Sequence, residues 1–296
     1  MSNLMLITRA NFLLLTVAIV AAGLSASLYA HGVFSPFDAF LVLIGALLTH
    51  MAVNVFNNYF DYRSKIDANT SKTPFSGGVD ILVEGKMKPS VAFGVGLLCL
   101  IGAAVIGVYF LARLFYPLFP ILLYGLVAIC LYTPVLSKVH GLSEIVAGTG
   151  FGFMGLGAYV TQARVVDASG IAVFVPVSIL VGLLLFLNEF PDVEADKAAG
   201  RRHIVILLGR KKSTWIYITF VVATYLSIVL AVVMGASPFT ALVSLITMPI
   251  AYKAIGIVLK NYDRIPDLVP ALGLNVTVIV STIALLAAGF LIGSYL

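Results

Sequence analysis

Two short runs of asparagine and aspartate hold the chemistry this chain is equipped for. Asn54, Asn57 and Asp61 follow one another, with Asp67 six residues further on, and Asn188, Asp192 and Asp196 repeat the pattern later in the chain. Residues four apart on a helix share a face, so Asn57 with Asp61, and Asn188 with Asp192 and Asp196, each form a stripe; Asn54 joins the first. Asp67 has the wrong spacing for that face and must reach it from a loop or a bent helix end. A lone Asp in such a place reads as a solvated helix end. That reading does not account for the asparagines, which lie a turn deeper in apolar sequence, where lipid penalises polar groups. It also sits badly with acids at helix C-termini, where the macrodipole disfavours negative charge.

Clustered carboxylates repel, by about 4 kcal/mol for a pair roughly 4 Å apart at an effective dielectric near 20. Divalent cations relieve that repulsion, and oxygen ligands favour Mg²⁺ or Ca²⁺. Mg²⁺ in particular is commonly shared between carboxylates and substrate phosphates. Arg63, Lys65 and Lys72 stand beside the first motif, and Lys197, Arg201 and Arg202 beside the second. Such cations can meet phosphate oxygens that a metal leaves free, although membrane topology accounts for the same residues.

The elements that must position these groups are set by composition. Of 296 residues, 61% are hydrophobic and 10% charged, against about 25% charged in a soluble domain, so the solvent is lipid. Nine apolar segments reach the length of a membrane-spanning helix, about 20 residues: roughly 10–30, 36–58, 90–112, 115–136, 142–162, 170–190, 214–235, 237–257 and 268–295. They are too long for strands, and a membrane barrel would alternate in shorter segments. We expect an all-α polytopic membrane protein, nine transmembrane helices around a central cavity, in one domain over 1–296. With the N-terminus inside, all but Arg113 and Arg164 of the 18 Lys and Arg fall on the cytoplasmic side. The positive-inside rule therefore favours a cytoplasmic N-terminus and an outward C-terminus. That placement, rather than nucleic acid, accounts for the net charge of +5. Arg9 ahead of an apolar run, with small residues at Ala26 to Ala30, also resembles a signal peptide, but the topology needs this segment as its first span. Cys99 and Cys130 sit in apolar runs without disulfide or zinc spacing. Two long polar loops, 59–89 and 191–213, lie on the cytoplasmic side; the first contains Thr73-Pro74-Phe75-Ser76-Gly77-Gly78, either the hinge of a lid or a surface turn.

Asn54-x-x-Asn57-Asn58-Tyr59-x-Asp61 through Asp67, with Asn188-x-x-x-Asp192-x-x-x-Asp196-Lys197-x-x-Gly200, resembles the UbiA superfamily of intramembrane prenyltransferases. The branch it is most similar to includes the 1,4-dihydroxy-2-naphthoate prenyltransferases, which the Arg9-Ala10-Asn11-Phe12-Leu13 opening and the Thr73–Gly78 stretch also fit. The resemblance covers nearly the whole chain. It implies a Mg²⁺-dependent enzyme that moves a polyprenyl group from its diphosphate to an aromatic acceptor at the cytoplasmic face of the cell membrane. It assigns Asn57, Asp61, Asp67, Asn188, Asp192 and Asp196 to the metal-diphosphate motifs, the four aspartates being essential to catalysis. Arg63, Lys72, Lys197 and Arg201 are then diphosphate-binding candidates. Tyr132 and Lys138 resemble a Tyr…Lys element that contacts diphosphate, though an interfacial Tyr and a snorkelling Lys explain them as well. Three positions depart from the family pattern: Asn58 for Asp, Glu189 for Asn and His203 for Thr. Glu189, with His50, Asn54 and Asn58, is a candidate for the acceptor cavity; interhelical hydrogen bonding explains His50 and Asn275 equally. Phe56, Phe60 and Phe186 are candidates for its walls or for lipid contact. The acceptor implied is 1,4-dihydroxy-2-naphthoate, as in menaquinone-type quinone synthesis. Other members act on a phenazine, a chlorin, a haem or a glyceryl phosphate. A secondary transporter is the competing class, disfavoured because the acids sit at helix ends beside long loops.

Overall fold

The computed structural model describes residues 2–66, 73–75 and 77–296, and among these every regular element is helical. A short α1 (Asn3–Ile7) leads through a 3-10 turn into α2 (Leu13–His31), followed by α3 (Pro36–Arg63), α4 (Pro89–Leu111), α5 (Phe115–Leu131), α6 (Leu142–Ala163) and α7 (Ala168–Ala198). The short α8 (Ile204–Leu208) precedes α9 (Arg210–Val233); a 3-10 stretch, Phe239–Thr247, runs into α10 (Met248–Asn261), and α11 (Ile265–Gly293) closes the chain. Among the described residues seven helical stretches are long and apolar enough to cross a membrane: 10–31, α3, α4, α7, α9, 239–261 and α11. The chain is thus a multi-pass membrane protein. Two of the nine expected segments fall outside that set. The apolar helix α5 has only 17 residues. The 22 residues of α6 include five glycines and the polar Ser143, Glu144, Thr149, Thr161 and Gln162, which dilute its apolarity.

Local sequence explains the helix starts. Ser35 caps α3, its hydroxyl accepting from the Asp38 amide at 3.3 Å, ahead of Pro36 in the first turn, where a missing N–H costs nothing. Asp167 caps α7 by accepting from the Ser169 and Gly170 amides at 3.0 and 3.2 Å. The prolines of α7, Pro176 and Pro191, do not end it; the helix continues to Ala198.

Small residues draw the central helices together. A Cβ on Gly148 of α6 would stand 2.3 Å from the Ser178 carbonyl oxygen of α7, and one on Gly23 of α2 would stand 2.3 Å from the Gly155 carbonyl oxygen of α6. Backbone approach of this kind is how helices associate where lipid removes the hydrophobic driving force between them. Around the contact, Ile19, Tyr159, Val173, Val177, Ile279 and Phe290 form a buried cluster shared by α2, α6, α7 and α11.

The two ends of the bundle are tied differently. At one, His31 meets Asp167 at 2.8 Å, the Ser35 amide donates to Gln162 Oε1 at 2.6 Å, and Ser169 Oγ donates to the Ala236 carbonyl at 2.9 Å. At the other, the Gly141 amide donates to the Arg202 carbonyl at 3.1 Å, and Asn3 Nδ2 donates to the Lys86 carbonyl at 2.9 Å. Both Asn/Asp motifs lie at the second end.

Candidate active site

A cavity of about 280 Å³ opens between α3, α5, α6 and α7 and takes in Asn54, Asn57 and Asp61 from α3 with Asn188, Glu189, Asp192 and Asp196 from α7. The two stripes expected from their spacing therefore face one space. Below them the walls turn apolar: Leu15, Val53, Ile129, Val146, Val181 and Leu184 are among the lining residues. Phe75, Gly77 and Gly78 reach the mouth from the 59–89 loop. Gly77 and Gly78 take φ of 89° and 71°, the left-handed region that glycine enters without steric cost. Phe75, Gly77 and Gly78 thus fold back over the cavity, with the Phe75 ring beside Gly273 of α11.

Arg201 joins the motifs. Its guanidinium donates to Asp196 Oδ1 at 2.8 Å and, from the other arm, to Asp61 Oδ1. Burial alone would lower the pKa of this guanidinium, but the two carboxylates outweigh it and hold Arg201 above the usual arginine range. Among the described cations expected near phosphate, Arg201 is brought between the acids. Tyr132 and Arg9 also line the cavity. Arg63, Lys138 and Lys197 are exposed and outside its lining; Arg63 instead lies over the Tyr59 ring, 6.0 Å from its centroid. Asp67 and Lys72 lie outside the described residues.

Several candidates for the acceptor cavity turn out to hold helices together. Asn58 is fully buried away from the cavity: its Nδ2 donates to the carbonyls of Asn54 and Ile7 at 2.8 and 3.2 Å, and its Oδ1 accepts from Arg9. The Asn54 side chain reaches the cavity yet donates to the Thr8 carbonyl at 2.9 Å, so both asparagines fasten the N-terminal segment to α3. His50 lines the cavity with Nδ1 2.7 Å from Thr16 Oγ1 of α2. Asn57 Nδ2 donates to Thr133 Oγ1 at 3.3 Å. Asn275, off the cavity, accepts from the Tyr217 hydroxyl at 3.2 Å. The aromatic walls are Phe12, Phe75 and Phe151, not Phe56, Phe60 and Phe186; Phe186 is packed inside the α7–α9 core.

The structure adds residues that spacing did not single out. Glu144 at the start of α6 accepts from Ser143 Oγ at 2.6 Å and from the Ile204 amide at 2.8 Å, pinning the segment after α7 to α6. His203 lies 3.5 Å from Glu189 and 3.3 Å from Asp196. A buried acid opening an apolar segment was the legible signal for Glu144; nothing local marks its partners.

The donors fit a hard divalent cation in part. Asn188 Oδ1 and Asp192 Oδ1, a turn apart on α7, are buried and accept no hydrogen bond among the described residues. Oxygen pairs of this kind suit Mg²⁺, which uses one or two carboxylates and takes its other ligands from water and phosphate. Among the described residues no group of three His, Cys, Asp or Glu side chains is arranged to hold a metal ion.

An all-helical membrane bundle with an acid-rimmed, apolar-walled cavity at one end is the architecture of an intramembrane enzyme acting on an amphiphilic substrate. The sequence model of the UbiA prenyltransferase family matches residues 15–269, and the chain belongs to that family; it is a prenyltransferase. It is 27% identical over 223 residues to a 1,4-dihydroxy-2-naphthoate octaprenyltransferase of Bacillus subtilis, covering 74% of this chain and 70% of that protein. Among solved structures it is similar in fold to a UbiA homolog from Aeropyrum pernix K1, with a TM-score of 0.72 at 18% identity, covering 95% and 98% of the two chains. A UbiA homolog from Archaeoglobus fulgidus bound to DMAPP and Mg²⁺ gives a TM-score of 0.68 at 14% identity, covering 96% and 99%.

Proposed function

We propose that this chain, as one catalytic unit over residues 1–296, transfers a long polyprenyl group from its diphosphate to 1,4-dihydroxy-2-naphthoate at the cytoplasmic face of the membrane. The observation that supports it is the convergence of the α3 and α7 motifs on one cavity that is polar at its mouth and apolar beneath. Likeness to a naphthoate octaprenyltransferase, and to a homolog bound to DMAPP and Mg²⁺, supports the substrates and the metal.

Asn188, Asp192 and Asp196 on α7, with Asn57 and Asp61 on α3 and with Asp67, would hold Mg²⁺. When bound, the metal neutralises charge that develops on the leaving diphosphate. Arg201 and Arg9 add fixed positive charge at the same oxygens, where preorganised electrostatics act most strongly. Tyr132 offers a hydroxyl there; Arg63, Lys138 and Lys197, exposed outside the lining, attract the anion at longer range, with Lys72 a further candidate. The allylic C–O bond breaks with its electron pair leaving on diphosphate. The apolar wall of Val146, Val181, Leu184 and Phe151 keeps water from the allylic cation. The ring carbon bearing the carboxylate then bonds to the prenyl C1. The carboxylate leaves as CO₂, and the electron pair of its C–C bond restores the aromatic ring.

The test is purified protein in liposomes with a prenyl diphosphate and 1,4-dihydroxy-2-naphthoate, reading product mass, diphosphate and CO₂. Alanine at Asp61, Asp67, Asp192 or Asp196 should each lower turnover about 10²-fold or more with the fold retained. EDTA should stop turnover, and Mg²⁺ should restore it. Full turnover in two of these variants would refute the metal site; another product without CO₂ would refute the acceptor.

A further inference from the structure

Glu189 and His203 stand together on the lining of the acid-rimmed cavity, one from α7 and the other from the segment just beyond it. They are 5% and 2% exposed, and Glu189 Oε2 lies 3.5 Å from His203 Nδ1. The packing of this corner falls to other atoms. His203 Nδ1 accepts from the Ile206 amide at 3.4 Å and so caps α8. Glu144 Oε1 takes the Ile204 amide, and the Ser143 hydroxyl lies 2.6 Å from Glu144 Oε2 and 3.4 Å from Glu189 Oε1. Two atoms are left over. Glu189 Oε2 and His203 Nε2 are buried and make no hydrogen bond among the described residues. Nε2 is 3.3 Å from Asp196 Oδ2, but its N–H is not aligned on that oxygen. In a neutral imidazole one nitrogen accepts and the other carries the hydrogen; with Nδ1 accepting, Nε2 is the donor. A buried polar group without a partner costs about 1–3 kcal/mol, which a ligand that satisfies it recovers.

We propose that this pair recognises a ring hydroxyl of the acceptor, with Glu189 Oε2 accepting its hydrogen and His203 Nε2–H donating to its oxygen. The inference rests on the proposed hydroxyarene acceptor. A phenolic hydroxyl is donor and acceptor at once, the complement of the two orphaned atoms. A diphosphate is not, because it brings only acceptor oxygens to a corner that already holds Glu144 and Glu189. Glu189 is also off the metal stripe. Asn188 and Asp192 are four apart on one face of α7, whereas Glu189, the residue after Asn188, is turned about 100° from it, toward Ser143 of α6.

The test measures, by calorimetry on the purified protein with Mg²⁺ and inorganic diphosphate present, the Kd of 1,4-dihydroxy-2-naphthoate, 1-hydroxy-2-naphthoate and 4-hydroxy-2-naphthoate. The wild type should prefer the dihydroxy compound to one of the monohydroxy compounds by about tenfold or more. In Glu189→Leu, close to glutamate in size but without an acceptor, that preference should shrink to about twofold or less. Glu189→Gln keeps a carbonyl oxygen and should retain part of it. His203→Asn should also lower it, because asparagine still caps α8 but has no group at the Nε2 position. Melting temperatures report whether the variants are folded; if Glu189→Leu does not fold, His203→Asn decides. No preference in the wild type, or the full preference kept in the folded variants, would overturn the inference. So would a rise of about tenfold or more in the Mg²⁺ needed for half-maximal turnover of Glu189→Leu, which would make Glu189 a metal ligand. If the wild type shows the preference but transfers no prenyl group to the naphthoate, the proposed activity fails and the inference stands. Transfer without the preference would reverse that outcome.

Discussion

Arg201 lies between Asp61 and Asp196 with side-chain exposures of 18%, 8% and 4%, so the three charges are largely removed from water. Taking away one partner of a buried pair costs about 3–5 kcal/mol, because the others are left uncompensated. Arg201→Gln should therefore melt well below the wild type in detergent with EDTA. Mg²⁺ should raise its melting temperature more than it raises that of the wild type, since a divalent ion can take over the neutralising charge. Equal melting of the two proteins in EDTA would show that the bridge is not structural. The acids of this cluster were legible from their four-residue spacing. The selection of Arg201 from among the neighbouring cations was not, because it depends on the turn after α7, where Gly200 takes a φ of 80° and the Arg201 amide donates to the Asp196 carbonyl at 2.9 Å. Asn58 misled for a related reason. A polar residue on a membrane helix reads as cavity-lining, whereas Asn58 satisfies the Ile7 carbonyl, far away in sequence; Asn54 does line the cavity and also satisfies the Thr8 carbonyl.

At the scale of elements, α7 carries one motif at its far end and depends on its cap at the near end. Burial raises the pKa of Asp167, but hydrogen bonds from Tyr159, His31 and the Gly170 and Ser169 amides outweigh it and hold the carboxyl below its usual value. A depressed folded pKa means that the stabilisation is complete above the unfolded value, about 4, and fades as pH falls through the folded one. Asp167→Ala should cost about 1 kcal/mol at neutral pH, as a lost N-cap does. Its melting temperature should converge on that of the wild type in acid; a gap that stays constant into acid would contradict this. Gly148→Leu should be harsher, by about 1–3 kcal/mol or more, because the added side chain meets the Ser178 backbone rather than a movable neighbour. Melting and detergent gel filtration would measure it, and a wild-type melting temperature would refute the close packing. The extent of most helices was readable from apolar length alone. The lesser apolarity of α6 follows from its glycines and buried polar residues, which serve contact with α2 and α7 rather than with lipid.

For the molecule as a whole, the excess of Lys and Arg at the end that holds the acid-rimmed cavity predicts that this end faces the cytoplasm. The C-terminus then faces outward. A reporter fused after Leu296 that is active only in the cytoplasm should stay silent, and one inserted in the 59–89 loop should be active. The opposite pattern would invert the topology and move the proposed reaction to the other side of the membrane.

The Arg201–Asp61 contact joins residues 140 positions apart, and this has a consequence for how the protein is made. At about 5–20 residues per second, roughly 7–28 s separate the synthesis of Asp61 from that of its partner. Over that interval α3 is already made, with Asn54, Asn57, Asn58 and Asp61 near its C-terminal end, yet the arginine that bridges Asp61 has not been translated. Only the N-terminal segment, through the carbonyls of Ile7 and Thr8, is present to occupy Asn58 and Asn54. The nascent α3 should therefore wait at the membrane surface or in the insertion machinery with its polar end toward water. It would settle to full depth when the segment after α7 arrives, which makes insertion of the third helix a late event in a chain that is otherwise built in order.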